Sequence, residues 1–363
     1  MSLVYNVPIK FYQHTLETFQ KKITQLKTKN ILLIASKRQL KTLPIDMESF
    51  TLITDSINNP DIELVHETLD KLTNKPELII SIGGGSTIDL GKAISALYPY
   101  KNSTIEELRE IIQSKEYLDN NAPISLWAVP TTAGTGSECT KWATVWDFVD
   151  SKKYSIEADY LYPESSFLIP ELTLTLPPKL TLSTGLDALS HAMEAYWSKS
   201  TNQYIRVLSR NAIALIHTYL PLVMENPDNL EYRSKMLMGS FFAGVSFSNT
   251  RTTACHSISY PLTMKYNIEH GFAVTLTLYE VLKRNWPHIE EKNLFLQAWN
   301  ITNIEQIEEW LMKITNKLKL SDYGITEKDL SEIVKLSTTG GRMDNNPIIF
   351  TEKEILDILT RIL

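Results

Sequence analysis

The stretch ELIISIGGGSTIDLGKAISAL, residues 77–97, constrains the fold more than any other: a β-rich run passes through three consecutive glycines directly into a helical pattern. A strand feeding a helix through a tight turn is the repeating unit of a parallel sheet covered by helices. NILLIAS (30–36), FTLIT (50–54) and ISLWAVPTT (124–132) are further β-rich runs, and amphipathic helical patterns such as 61–72 lie between them. After ELTLTLPPKLT (171–181) the strand signal stops, and helical patterns follow at 185–198, 203–225, 231–246, 304–318 and 352–363. The expected architecture is an α/β domain with a parallel sheet over 1–176, followed by an all-α domain over 177–363. No internal repeat or low-complexity tract interrupts either half.

Glycines at a strand-to-helix turn let backbone N–H groups approach a pyrophosphate, and the N-terminus of the following helix favours negative charge. Gly83, Gly84 and Gly85, with Ser86 behind them, therefore read as a phosphate-binding loop. The spacing is neither G-x-G-x-x-G nor a P-loop ending in G-K-[ST]. A second small-residue loop, PTTAGTGSE (130–138), also follows a strand, and two such loops at strand ends share the crevice where open α/β sheets hold nucleotides.

In STGLDALSHAMEAYW (183–197), Asp187 and His191 stand four apart and so share one helix face. Two of the seven histidines fall in ACHSISYPLTMKYNIEHGF, as His256 and His270. Together the four residues offer one oxygen and three nitrogens, a donor set suited to a catalytic divalent ion with a coordination position left open.

GGGSTIDLGKA, PTTAGTGSE, GLDALSHAMEA and a His-x13-His-Gly spacing, in that order, resemble the iron-containing alcohol dehydrogenase family over nearly the whole chain. The resemblance implies the dehydroquinate synthase-like fold of that family, with a nicotinamide-binding α/β domain and a helical metal-binding domain. It implies Asp187, His191, His256 and His270 as metal ligands. It also implies Gly83, Gly84, Gly85, Ser86, Asp89, Thr131, Thr132, Thr135, Asn59 and Lys153 as cofactor contacts. Iron is the ion the family favours, with zinc as the alternative, and relatives commonly form homodimers. The implied chemistry is hydride transfer between a nicotinamide and a carbonyl carbon while the ion polarises the carbonyl oxygen.

Three departures from the family pattern carry specific expectations. Where relatives commonly place an acid after the first strand, this chain has Ser36, Lys37 and Arg38, which suit the 2′-phosphate of NADPH over NADH. SNTRTTACH and TTGGRMDNNP put Arg251 and Arg342 in segments that line the family's substrate pocket, and Lys141 in GSECTKWATVWD joins them as a substrate-facing cation. Arginines beside a metal call for an anionic partner, so the expected substrate is a short aldehyde with a phosphonate, phosphate or carboxylate tail. GSECTKWATVWD and HSISYPLT are most similar to the family branch that reduces phosphonoacetaldehyde to 2-hydroxyethylphosphonate. Tyr260 stands where many relatives have another histidine, and is the candidate proton relay. Competing expectations are an NADH-linked dehydrogenase of simple primary alcohols and a catalytically silent relative that binds nucleotide or metal.

Composition narrows the rest. A formal charge of −6 and the lack of a Lys/Arg cluster argue against a nucleic-acid partner. No charged n-region precedes an apolar run at the start, no apolar run approaches the roughly 20 residues of a membrane span, and only Cys139 and Cys255 are present. The expected setting is the cytoplasm, with small molecules as partners.

Overall fold

The computed structural model describes residues 7–27, 30–43, 50–54, 57–150, 152–338 and 343–363. They form two compact units, Val7–Leu176 and Pro177–Leu363.

The first unit contains strands β1 (Lys10–Gln13), β2 (Ile31–Ala35), β3 (Phe50–Ile53), β4 (Leu78–Gly83), β5 (Ser125–Pro130), β6 (Trp142–Asp147), β7 (Lys152–Glu157) and β8 (Ser165–Leu168). Its helices are α1 (Leu16–Thr24), α2 (Lys37–Thr42), α3 (Ile62–Asp70), α4 (Gly85–Leu97) and α5 (Ile105–Ser114). Six strands make one parallel sheet in the order β1-β8-β5-β4-β2-β3, and β6 and β7 pair as a separate antiparallel hairpin.

Alternation along the strands divides the core. Leu32, Ile34 and Ile79 point into one cluster with α3, α4 and α5, whereas Leu33, Ile80 and Ile82 point into the other with α1 and α2. A sheet covered on both faces needs continuously apolar strands, which is why β2 and β4 are buried throughout. From β2 the chain moves out to β3, then returns to β4 on the other side of β2. The turns after β2 and β4 therefore leave the sheet side by side in opposite senses, the topological switch where such folds take ligands.

Lys92 of α4 ties this switch to the second loop. Its ammonium is wholly buried and donates to Ser137 O (2.6 Å), Ser137 Oγ (3.1 Å), Thr140 Oγ1 (3.0 Å) and Trp142 O (3.0 Å). Burial pulls its pKa down to about 8 against the opposing pull of Asp89 and Glu138. Burial likewise pushes the Glu138 carboxyl up to about 7.

The second unit is helical: α6 (Pro178–Trp197), α7 (Gln203–Glu225), α8 (Leu230–Thr250), α9 (Ala254–Tyr266), α10 (His270–Asn285), α11 (Lys292–Ala298), α12 (Glu305–Ile314), α13 (Glu327–Ser337) and α14 (Glu352–Arg361). α6 starts seven residues earlier than the sequence pattern predicts, because Pro178 occupies its first turn, where a missing N–H costs nothing. Among the described residues α7 alone passes for a membrane span by length and apolarity, but Ile205, Ile213, Ile216, Leu220 and Val223 are buried in a face packed with α6 and α8. Asn285 of α10 and Asn346 exchange two amide hydrogen bonds of 2.9 Å each, which pins the segment after Met343 to the bundle.

Removing the Lys92 ammonium would strand buried acceptors and two buried carboxyls. Lys92→Ala is expected to destabilise the protein by about 3 kcal/mol or more, read as a lower denaturant midpoint. An unchanged midpoint would show that the buried lysine is not a strut.

Candidate active site

In the α/β unit the two small-residue loops touch. Thr131 N donates to Gly83 O at 2.9 Å, directly after the paired ends Gly83 and Pro130 of β4 and β5. The three glycines differ in what demands them. A Cβ on Gly83 would stand 2.2 Å from Thr87 Oγ1, and one on Gly85 would stand 2.5 Å from Thr135 Oγ1. At Gly84 the nearest atom would be Thr132 Cγ2 at 3.4 Å, an ordinary contact. Packing within the chain therefore explains Gly83 and Gly85 but not Gly84. Gly84 is also the N-cap of α4 and offers no side-chain cap, so a 13-residue helix starts here with its first turn uncapped, a cradle that fits a pyrophosphate.

Neighbouring predicted residues support this loop. Asn59, held at φ 54°, donates its backbone N–H to Ser86 Oγ at 3.3 Å. Asp89 accepts from Ser137 Oγ (2.5 Å) and Thr144 N (2.9 Å), so its carboxylate bonds α4 to the second loop and β6. The Thr135 hydroxyl accepts from Ser137 N at 3.3 Å, and the Lys153 ammonium lies 5.2 Å over the Trp146 ring. Ser36 caps α2, and Lys37 and Arg38 are exposed at its start, with Arg38 Nη1 donating to Thr175 O at 3.2 Å. Gln39, which the sequence did not single out, reaches Thr131 Oγ1 from α2 at 3.5 Å and so links the switch-point turn to the second loop.

In the helical unit, Asp187 Oδ1 is the focus. His256 Nε2 lies 3.4 Å from it, and His191 Nδ1 and His270 Nε2 each lie 3.8 Å away. One ligand atom from each of Asp187, His256 and His270 falls within 4.8 Å of the others. His191 does not join that mutual set. Its ring stacks between Phe247, at 4.0 Å, and His256, at 4.5 Å between centroids. Asp187 Oδ1 and His256 Nε2 are buried and make no hydrogen bond, the arrangement expected of atoms meant for an ion. One carboxylate and surrounding imidazoles are also a suitable donor set for Fe²⁺ or Zn²⁺, so the residues fit the group.

Gly271 makes this convergence feasible. A Cβ there would stand 1.8 Å from Ser183 O, so only glycine lets the start of α10 lie on the backbone of α6 and bring His270 to Asp187. Glu194, fully buried on α6, is hydrogen-bonded to His256 Nδ1. Sequence reading missed it, although its place seven residues after Asp187 puts it on the same helix face.

Burial raises the Asp187 carboxyl, but the three imidazoles outweigh it and hold the group well below the usual carboxylate range. Burial lowers the His256 imidazole, and Glu194 with Asp187 overcomes this and pushes it up to about 9.

The substrate-facing candidates are less uniform. Tyr260 is half-buried on α9, one turn beyond His256. Arg251 is exposed at the end of α8, with φ 61° and ψ 176°. Lys141 is committed elsewhere: its ammonium pairs with Asp159 at 2.8 Å and Glu157 at 3.7 Å, which raises its pKa. Arg342 lies outside the described residues.

Comparison with known proteins supplies the class. The model for the C-terminal part of Fe-containing alcohol dehydrogenases matches residues 181–363, and the iron-containing alcohol dehydrogenase model matches residues 7–170. The long-chain primary alcohol dehydrogenase of Thermoanaerobacter ethanolicus is 31% identical over 320 residues, covering 83% of this chain and 78% of its own. The 4-hydroxybutyrate dehydrogenase of Clostridium kluyveri is 29% identical, with 83% of each chain covered. The solved sulfoacetaldehyde reductase of Bifidobacterium kashiwanohense, in complex with NAD+, superposes with a TM-score of 0.86 at 26% identity, covering 99% of this chain and 98% of its own. The class is that of NAD(P)-dependent oxidoreductases that act on small alcohols and aldehydes with a divalent metal. Within it, this chain belongs to the iron-containing alcohol dehydrogenase family.

Metal binding should release protons. In the metal-free protein at pH 7, below the His256 value of about 9, the ring carries two protons, and one must leave before Nε2 can serve as a ligand. Calorimetric titration with Zn²⁺ in buffers of different ionisation enthalpy should report about one proton released per ion, and affinity should rise with pH towards 9. No proton release at pH 7 would contradict this protonation state.

Proposed function

We propose that the protein is an NADPH-preferring reductase of short aldehydes bearing an anionic tail, with phosphonoacetaldehyde as the foremost substrate and 2-hydroxyethylphosphonate as the product. Asp187, His191, His256 and His270 hold the ion, with His191 turning its ring from the stack to complete the set. When bound, the ion supplies Lewis-acid polarisation of the substrate oxygen and the nicotinamide supplies hydride. The Gly84 cradle takes the cofactor pyrophosphate, and Ser86, Asn59, Thr131, Thr132, Thr135, Asp89 and Lys153 shape its surroundings. Tyr260 Oη holds the proton that the product alcohol needs.

The observation that carries the substrate class is the backbone at Arg251. Its φ of 61° with ψ of 176° is a region that is almost exclusive to glycine and costs a side-chain-bearing residue about 1–3 kcal/mol. It is maintained five residues before His256 between the buried Thr250 and Thr253. An arginine kept in strain five residues before a metal-ligand candidate suits a site that must hold an anion. The sulfoacetaldehyde reductase relative supports the same class, since its name describes a two-carbon aldehyde with a tetrahedral anionic tail. Arg342 is assigned as the second cation. Lys141, already paired with Asp159 and Glu157, is left out.

Initial rates with NADPH on phosphonoacetaldehyde, butanal and succinic semialdehyde, after loading with Fe²⁺ or Zn²⁺, test this reading. Phosphonoacetaldehyde should lead, and Arg251→Ala or Arg342→Ala should lower its kcat/KM by about 10²-fold while butanal turnover changes little. A wild-type enzyme that prefers butanal would instead favour a dehydrogenase of simple primary alcohols.

Cofactor choice has its own test. Replacing Lys37 and Arg38 together with Ala should weaken NADPH by on the order of 2 kcal/mol in KM terms and leave NADH nearly unchanged. Equal effects on both cofactors would remove these residues from 2′-phosphate recognition.

A further inference from the structure

α9 begins with Ala254, and its N-cap residue Thr253 makes no side-chain cap. The first N–H groups of a helix have no intrahelical partner and attract negative charge. Here the acceptor comes from another helix. Glu194 Oε1, on α6, accepts from the Thr253 hydroxyl at 2.8 Å, from Cys255 N at 2.7 Å and from His256 N at 3.3 Å. The other oxygen, Oε2, is hydrogen-bonded to His256 Nδ1. One carboxylate therefore grips both the backbone and the ring of the same histidine. Trp197, one turn further along α6, donates its indole N–H to Thr253 Oγ1 at 3.0 Å and closes the arrangement.

We propose that Glu194 is the positioning residue of the metal centre: it caps α9 with one oxygen and holds His256 Nδ1–H with the other, which leaves Nε2 as the ligand atom, aimed at Asp187 Oδ1. The proposal rests on the reading of Asp187, His256 and His270 as ligands. An ionised carboxylate can only accept, so Nδ1 must be the donor, and a neutral ring with its proton there presents a bare lone pair at Nε2. Three donors converge on Glu194 Oε1 at the N-terminus of α9, the Thr253 hydroxyl and the N–H groups of Cys255 and His256, surroundings that favour the carboxylate form. A carboxylate behind a ligand imidazole fixes ring orientation and raises its basicity. Capping adds a second constraint. The ring cannot swing without its own N–H leaving the same carboxylate, so helix position and ring position are set together.

The test is a double-mutant cycle on zinc affinity, measured by competition with a chromophoric chelator on the metal-stripped full-length protein. The set is wild type, Glu194→Gln, His256→Ala and the double variant, each with its thermal midpoint recorded. Glu194→Gln should bind one zinc about 10–100-fold more weakly. The double variant should bind no more weakly than His256→Ala, because Glu194 acts through that ring. If Glu194→Gln does not fold, Glu194→Asp, which keeps the charge but not the reach, carries the same expectation. A lower thermal midpoint with unchanged zinc affinity would make Glu194 only a structural cap and overturn the proposal. Independent, multiplying losses in the double variant would overturn it too. Wild-type affinity in His256→Ala would sink the ligand reading itself and the proposal with it, an outcome distinct from the other two.

Discussion

The helical unit is organised around one buried carboxylate. Asp187 cannot be taken out of water unless opposite charge or a cation compensates it, and three imidazoles within 3.8 Å of its Oδ1 show where that compensation converges. Each imidazole arrives by a different structural device. His191 comes from one turn along the same helix. His256 comes from the start of α9, under the grip of Glu194. His270 comes from the first residue of α10, which reaches α6 only because Gly271 has no side chain to collide with Ser183 O. Changing any one of the three helices would disturb the same point.

The α/β unit solves a different problem, that of keeping a backbone surface bare. The first turn of α4 has to stay uncapped and uncovered if it is to meet an anion, yet it must not move. Rigidity comes from behind: Lys92 and Asp89, on α4, hold the 137–144 segment through buried hydrogen bonds, while Thr87 and Thr135 pack where side chains on Gly83 and Gly85 would otherwise lie. Lys92 and Asp89 spend their polar atoms on the 137–144 segment, and Gly84 contributes no side-chain cap, so the first N–H groups of α4 are left for a ligand.

Much of this was legible in the sequence where one physical demand dominates. β2 and β4 are buried on both faces and read as unbroken apolar runs, and α7 spans the residues its pattern marks. β1 and β8 escaped notice because KFYQ is a mostly exposed edge and SSFL begins with two serines, one of which donates to Glu138 O. α9 and α10 were hidden as helices by Pro261 and by the short break that delivers His270. Among candidate site residues, Asp187, His256 and His270, which the structure brings together, were picked out by residue type and spacing, as was His191, whose ring stacks with Phe247 and His256 instead. Glu194 was not, since a glutamate in an amphipathic pattern reads as surface until its partners on α9 are seen. Neither the pairing of Lys141 with residues across the β6–β7 hairpin nor the left-handed backbone of Arg251 leaves a trace in composition or periodicity.

The central claim is that the Asp187 cluster is a metal centre, and anomalous diffraction from crystals of the zinc- or iron-loaded protein tests it most directly. The account predicts one peak at the absorption edge of the ion, about 2.0–2.2 Å from Asp187 Oδ1 and from the Nε2 atoms of His256 and His270. A fully loaded protein whose only peak lies away from these three residues would contradict it.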